Sequence, residues 1–223
     1  KEYYEERWFT SGIGIGNKNI RISEKEIPFG TDLLFRAGNY PDCVLGVELC
    51  EDLWTIQPPS GEMAIAGATL IANLSASNEL LGKVEYRREL VRQQSARCLA
   101  AYLYAGAGPG ESTTDTVFAG HSLIGENGSI LTETERFQFD SQIAIADIDL
   151  HLIKNERLVN SCYSSASTKN KYRVIDFEIA ESTIELTSLS DLKRNIPRHP
   201  FVPFEKQERV KHCEEIFSIQ STA

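Results

Sequence analysis

What this chain lacks narrows the reading first. Its 223 residues include five cysteines, Cys43, Cys50, Cys98, Cys162 and Cys213, with no Cys-x-x-Cys pair and no histidine at metal-ligand spacing. That argues against a structural zinc site. An odd cysteine count without framework spacing fits a reducing compartment, so the expected location is the cytoplasm. Basic residues are not in excess: the net charge is −9 at pH 7. A nucleic-acid partner is therefore not expected, because phosphate binding needs clustered Lys and Arg. No apolar run has the length to span a bilayer and no signal-peptide pattern is visible, so no membrane partner is expected either. The glycine-rich stretches Gly12–Gly16 and Ala105–Gly110 lack the Lys-Ser/Thr ending of a phosphate-binding loop.

What is present suits one substantial core, since 41% of the residues are hydrophobic. Short apolar runs alternate with helical patterns. A buried strand is expected over 40–49, a short helix over 61–66, a strand over 68–74, a polar Arg-rich helix over 84–97 and a strand over 99–105. The charge run of that helix, YRREL and VRQQSAR, reads as a solvated face with charge pairs. Two further strands should meet at Glu126-Asn127-Gly128, because Asn-Gly between apolar alternations is a strong hairpin signal. QIAIADID, residues 142–149, alternates with period two and reads as a strand with Ile143 and Ile145 on one face. A helix through Arg157, a polar loop over 161–171 and a strand over 172–179 follow. The proline-rich NIPRHPFVPFEK, 195–206, reads as an extended connector, and ERVKHCEEIFSIQ starts an amphipathic helix. Alternating strands and helices indicate an α/β architecture.

The most informative stretch is YPDCVLGVELCEDLW, residues 40–54. An apolar run ends abruptly at Cys50, and two acids, Glu51 and Asp52, follow at once. Acids suit the first turn of a helix, so Cys50 sits where a buried strand turns into a helix. That elbow exposes a thiol and points backbone N–H groups at the space beside it. A thiol so placed can attack a carbonyl or nitrile carbon and form a covalent intermediate. A lone cysteine is more often a small buried hydrophobe, and Cys43 and Cys98 are read that way. No histidine lies near Cys50 in sequence. Trp8 and Trp54 read as pocket wall or core.

The residues around Cys50 resemble the nucleophile motif of the nitrilase (carbon–nitrogen hydrolase) superfamily. More narrowly, GVELCEDLW, ATLIANLSASNELLGKVEYRRELVRQQSARCLAAYLYAGAGPG and the segment to GENGSIL are similar to the glutaminase domains of the glutamine-dependent NAD synthetase family. The resemblance implies a four-layer α-β-β-α sandwich and hydrolysis of glutamine through a thioester on Cys50. Family members use a Glu–Lys–Cys triad, of which only the cysteine has a match, at Cys50; the other two are expected upstream of Lys1, and Lys1 is given no role. Glu5 is expected to orient the lysine or the substrate, with a surface glutamate as the equal alternative. The backbone N–H of Glu51 should line the oxyanion hole, while its side chain caps the helix start. Ser77 and Lys83 should bind the amino and carboxylate ends of glutamine. A zwitterion needs an acceptor and a fixed cation, and lysine offers a point charge where arginine would offer a fork. A turn serine and a solvated lysine are the plainer readings of the same residues.

The resemblance also sets the expected organisation. Residues 1–180 would be the C-terminal part of a glutaminase domain, 181–206 a linker and 207–223 the start of a synthetase domain supplied in cis. That domain would amidate deamido-NAD to NAD. ATP and Mg are expected there, whereas these residues themselves imply no metal and no cofactor. The SGGxDS-like loop of such a domain is not in this chain, and the 223 residues alone are expected to be inactive. A homo-oligomer is implied by the superfamily. The alternatives are a stand-alone amidase acting on another amide or a nitrile, and a non-catalytic scaffold.

Overall fold

The computed structural model describes residues 8–12, 14–16, 18–168, 170–180, 188, 191–196, 198–200, 202–203 and 205–222. Nine strands are described: β1 (Asn19–Ile22), β2 (Lys25–Pro28), β3 (Leu33–Ala37), β4 (Val44–Leu49), β5 (Leu70–Ser75), β6 (Ala101–Gly106), β7 (Leu123–Glu126), β8 (Ser129–Glu133) and β9 (Arg173–Phe177). The helices are α1 (Pro59–Ile65), α2 (Lys83–Cys98), α3 (Leu150–Val159), the single turn α4 (Ser161–Ser164) and α5 (Lys206–Thr222). β1 and β2 form a hairpin, and the other seven strands form one sheet in the order β8-β7-β6-β5-β4-β3-β9.

The centre of the sheet is parallel. β4 pairs with β5 and β5 with β6 in the same direction, while β3 and β7 flank them antiparallel. α1 connects β4 to β5, and α2 connects β5 to β6. Right-handed crossovers that step in one direction place both helices on one face of the sheet. The contact geometry agrees: a Cβ on Gly46 of β4 would meet Met63 of α1, and one on Gly125 of β7 would meet Val91 of α2. The core lies between that face and the two helices, built from Leu34, Met63, Ile71, Val91, Tyr102 and Leu123.

The expected α/β class therefore holds, and of the four layers the described residues supply one large sheet with its helices. The hairpin is as expected. Asn127 and Gly128 both have positive φ, 44° and 88°, which is the backbone of a tight two-residue turn between antiparallel strands. Three expectations fail. The loop expected over 161–171 opens on the helical turn α4, because the Tyr163 hydroxyl donates to the Ala64 carbonyl of α1 and Asn160 caps the turn. Residues 142–149 form no strand, and Ile143 and Ile145 are 83% and 62% exposed. Alternation becomes a strand only when a neighbouring edge pairs with it, and this segment instead passes the end of the sheet, where the Asp149 N–H donates to Glu126. The Arg-rich run of α2 is also not simply a solvated face. Glu85–Arg88 and Glu89–Arg92 do pair on the surface, three residues apart, but Arg87 is 2% exposed. At the amino edge of the parallel strands, Arg157 of α3 donates to the carbonyls of Ala68, Cys98 and Leu99, which satisfies the end of α2.

Candidate active site

Because β4, β5 and β6 are parallel, their carboxyl ends emerge on one edge. Cys50 follows β4, Ser75 ends β5 with Ser77 just beyond it, and Gly106 ends β6. Ligands of open α/β sheets gather at such an edge. A short 3-10 turn, Cys50–Trp54, begins directly at the cysteine, so the expected strand-to-helix elbow is present. The cap of this turn comes from Asp52, whose carboxylate accepts from the Leu49 N–H at 2.7 Å, rather than from the Glu51 side chain, which is exposed. Cys50 has φ 42°, a left-handed conformation that a non-glycine residue rarely adopts and that is retained where the surrounding contacts over-determine it.

Those contacts are polar and buried. The Ser75 hydroxyl donates to Cys50 Sγ at 3.4 Å, and the Tyr104 hydroxyl donates to Ser75 Oγ at 2.6 Å. Burial pushes the Tyr104 phenol up, so it stays protonated and serves as a donor. Beneath the elbow, the Glu48 carboxylate accepts from the Ser60 N–H at the start of α1 and from the Tyr102 hydroxyl. Burial, followed by the Glu48 charge, drives the Tyr102 phenol far upward and keeps its proton in that bond. Asn73 Nδ2 reaches both Tyr102 Oη, at 3.1 Å, and the carbonyl oxygen of Cys50, at 3.4 Å.

Ser77 and Lys83, the expected glutamine contacts, lie in the loop between β5 and α2 and at the start of that helix. Ser77 follows Ser75, whose hydroxyl meets Cys50 Sγ, by two residues, and Lys83 Nζ lies 5.1 Å from the ring of Trp54, the last residue of the turn. Lys83 Nζ also donates to the carbonyl and the side-chain oxygen of Asn78, at 2.8 and 2.7 Å. Trp54 packs against the core and tilts onto Tyr86. The loop itself is anchored by a buried ion pair. Arg87 Nη2 donates to Glu79 at 3.1 Å, and Arg87 Nη1 lies 3.0 Å from His121 Nδ1, with His121 Nε2 in turn 3.0 Å from Glu133. The hydrogen bonds of His121 therefore go to Arg87 and Glu133, not to Cys50. Glu5 lies outside the described residues. No group of three or more His, Cys, Asp or Glu suited to a metal ion occurs among the described residues.

The other cysteines divide as their surroundings dictate. Cys98 is buried, and desolvation pushes its thiol to about 11; it is inert packing, as expected. Cys43 is half-buried rather than core, and Cys162 and Cys213 are exposed. The residues that sequence reasoning passes over are Glu48, Asn73, Ser75, Tyr102 and Tyr104. They do carry a signal: polar atoms two residues apart inside LIANLS and AYLYAG, and a lone carboxylate inside the apolar VLGVEL, all on the face that turns inward.

A seven-stranded α/β sheet with a cysteine at the elbow where a parallel strand ends is an arrangement that this chain shares with a solved amide-nitrogen-using enzyme. The chain is, more particularly, homologous to glutamine-dependent NAD(+) synthetases. It is 43% identical over 225 residues to that of Mycobacterium tuberculosis H37Rv, covering 99% of this chain and 32% of the relative. It is 32% identical over 211 residues to that of Drosophila melanogaster, covering 88% of this chain and 26% of the relative. Among solved structures, the glutamine-dependent NAD(+) synthetase of Cytophaga hutchinsonii superposes with a TM-score of 0.52 at 30% identity, over 62% of this chain and 21% of that one. The chain thus spans about a third of the length of its curated bacterial relatives. No family model matches it. No described helix is long and apolar enough to cross a membrane.

Proposed function

We propose that this chain is the nucleophile-bearing part of a glutaminase that feeds ammonia to an NAD synthetase. The observation that supports it best is Cys50 at the elbow, in a left-handed backbone conformation, with Ser75 on its sulfur and the Ser77–Lys83 loop beside it. In this reading the Cys50 thiolate attacks the side-chain amide carbon of glutamine. The Glu51 N–H stabilises the oxyanion, and the C–N bond breaks as the nitrogen takes a proton and leaves as ammonia. Water then hydrolyses the γ-glutamyl thioester to glutamate and the free thiol. Ser77 and Lys83 hold the amino and carboxylate ends of the substrate. Lys83 would exchange part of its present bonding to Asn78 for the carboxylate, while Trp54 keeps its position beside the turn.

The base and the lysine that complete such a triad have no match among these residues, so turnover is assigned to a longer protein that contains them. Glu5 is proposed to orient that lysine or the substrate. ATP, Mg and deamido-NAD belong to a synthetase domain joined in cis after the 181–206 linker. A homo-oligomer in the cytoplasm is proposed on the same relation. The test is glutamate release from glutamine by the protein that includes the missing parts, with a glutamine-derived diazoketone used to label Cys50. Cys50→Ala should abolish both hydrolysis and labelling. Hydrolysis that survives Cys50→Ala would overturn the reading, and strong turnover by the 223 residues alone would overturn the division of the triad.

A further inference from the structure

We propose that Asn73 is a positioning residue for the nucleophile elbow: its amide holds the carbonyl of Cys50 and thereby aims the Glu51 N–H at the oxygen of an attacked carbonyl. The inference rests on the covalent reading of Cys50 given above. Asn73 lies inside β5 and is 1% exposed. Its side chain contacts the Cys50 carbonyl at 3.4 Å and Tyr102 Oη at 3.1 Å. A carbonyl oxygen only accepts, so the nitrogen of the amide, not its oxygen, must face Cys50. The Tyr102 proton is committed to Glu48, so toward Asn73 the phenol is an acceptor too. Both neighbours therefore draw on the donor half of Asn73.

The other half of the amide has no matching role. Among the described residues, Asn73 Oδ1 is buried with no hydrogen-bond partner. An orphaned buried acceptor costs about 1–3 kcal/mol. An apolar residue of similar size would avoid that cost, so the donor is what the position retains. In a trans peptide the C=O and the following N–H point in opposite directions. Holding the Cys50 carbonyl toward Asn73 thus turns the Glu51 N–H away from it. That N–H is among the first donors of the 3-10 turn, which have no partner within the turn. The left-handed φ of Cys50 makes the peptide prone to relax once the tether is cut. Glu48, bridging Ser60 and Tyr102, braces the same chain of bonds from below.

Two reagents separate aiming from packing. Alkylation of Cys50 by iodoacetamide is a direct displacement of iodide by the thiolate and develops no oxyanion. Acylation by p-nitrophenyl acetate forms a carbon–sulfur bond through a tetrahedral oxyanion and expels p-nitrophenolate. Both are followed at Cys50 by peptide mass mapping on the intact protein. In Asn73→Leu, which keeps the branched shape, the loss of the orphaned oxygen should offset part of the cost of leaving the Cys50 carbonyl and Tyr102 Oη without this donor, and the protein should still fold. The ratio of acylation to alkylation rate should fall on the order of tenfold or more. Asn73→Ala should lower the ratio likewise. An unchanged ratio in the folded variants, or equal falls with both reagents, would overturn the inference. Failure of the wild type to hydrolyse glutamine would remove the glutaminase reading while leaving this ratio readable, because neither reagent needs glutamine recognition.

Discussion

The two faces of the large sheet invert the usual order of polarity. The face covered by α1 and α2 buries Glu48, Asn73, Ser75, Tyr102 and Tyr104 among its apolar residues. The opposite face, from Phe35 across Val47, Leu49, Ala72 and Leu74 to Leu103, is apolar throughout, yet Leu49 and Leu74 are 58% and 59% exposed. A sheet face meant for water would alternate to polar residues. The apolar face is therefore composed like the inside of a sandwich, and the polar one like a scaffold for chemistry. Burying polar groups under helices costs free energy unless each is paired. Here nearly every one is paired, and the pairing converges on the end of β4 where Cys50 sits.

Four measurements would break or sharpen that contrast. The largest effect belongs to the buried ion pair: Arg87→Ala leaves Glu79 only its longer bond to the half-buried Arg136 and should cost about 3 kcal/mol in chemical denaturation. Loss of less than about 1 kcal/mol would mean that the corner is wetter than its 2% exposure implies. Next, acid should weaken the same corner. Burial first, and the Arg87 charge in part, hold His121 below its ordinary 6.5, and the Arg88 bond holds Glu133 below its ordinary 4.5. In both cases the folded state binds fewer protons than the unfolded one. Their contribution is present above those ordinary values and is lost as pH falls through them. Urea midpoints should be flat near neutrality and decline below pH 6.5, a decline that His121→Gln should make shallower in its upper part. A midpoint that rises on acidification would reverse the sign.

A smaller effect is expected inside the apolar core. Ile71→Val, under the helices, should cost about 0.5–1.5 kcal/mol. The smallest belongs to the bare face: Leu74→Thr in the 223-residue chain should change stability by no more than about 0.5 kcal/mol. The same substitution in a longer protein whose added segments cover that face should cost several times more. Equal effects in the two settings would show that nothing packs there.

Much of the fold is legible in the amino-acid order alone. The Asn127-Gly128 turn, the helices near 61–66 and 84–97 and the strands leading to Cys50 follow from local chemistry, because turn geometry and hydrophobic period act over a few residues. The miss at 142–149 has the opposite cause: period two describes a strand that could form, and pairing depends on which edge lies near. Arg87 reads as one of several solvated arginines because a helix surface cannot be ranked by charge alone. Its burial is decided by Glu79, 8 residues before it, and His121, 34 after it.

By itself, then, the sequence determined the alternating α/β order, the cysteine at a strand end, the acids that start the following turn and the relation to glutamine-using enzymes. These are properties of adjacent residues or of long ordered similarity. Only the tertiary structure decided that Ser75, Tyr104, Asn73, Tyr102 and Glu48 converge on that cysteine. Parallel pairing sets Leu49 beside Leu74 and Ser75 beside Gly106, and residues tens of positions apart become neighbours through a register that no single segment encodes.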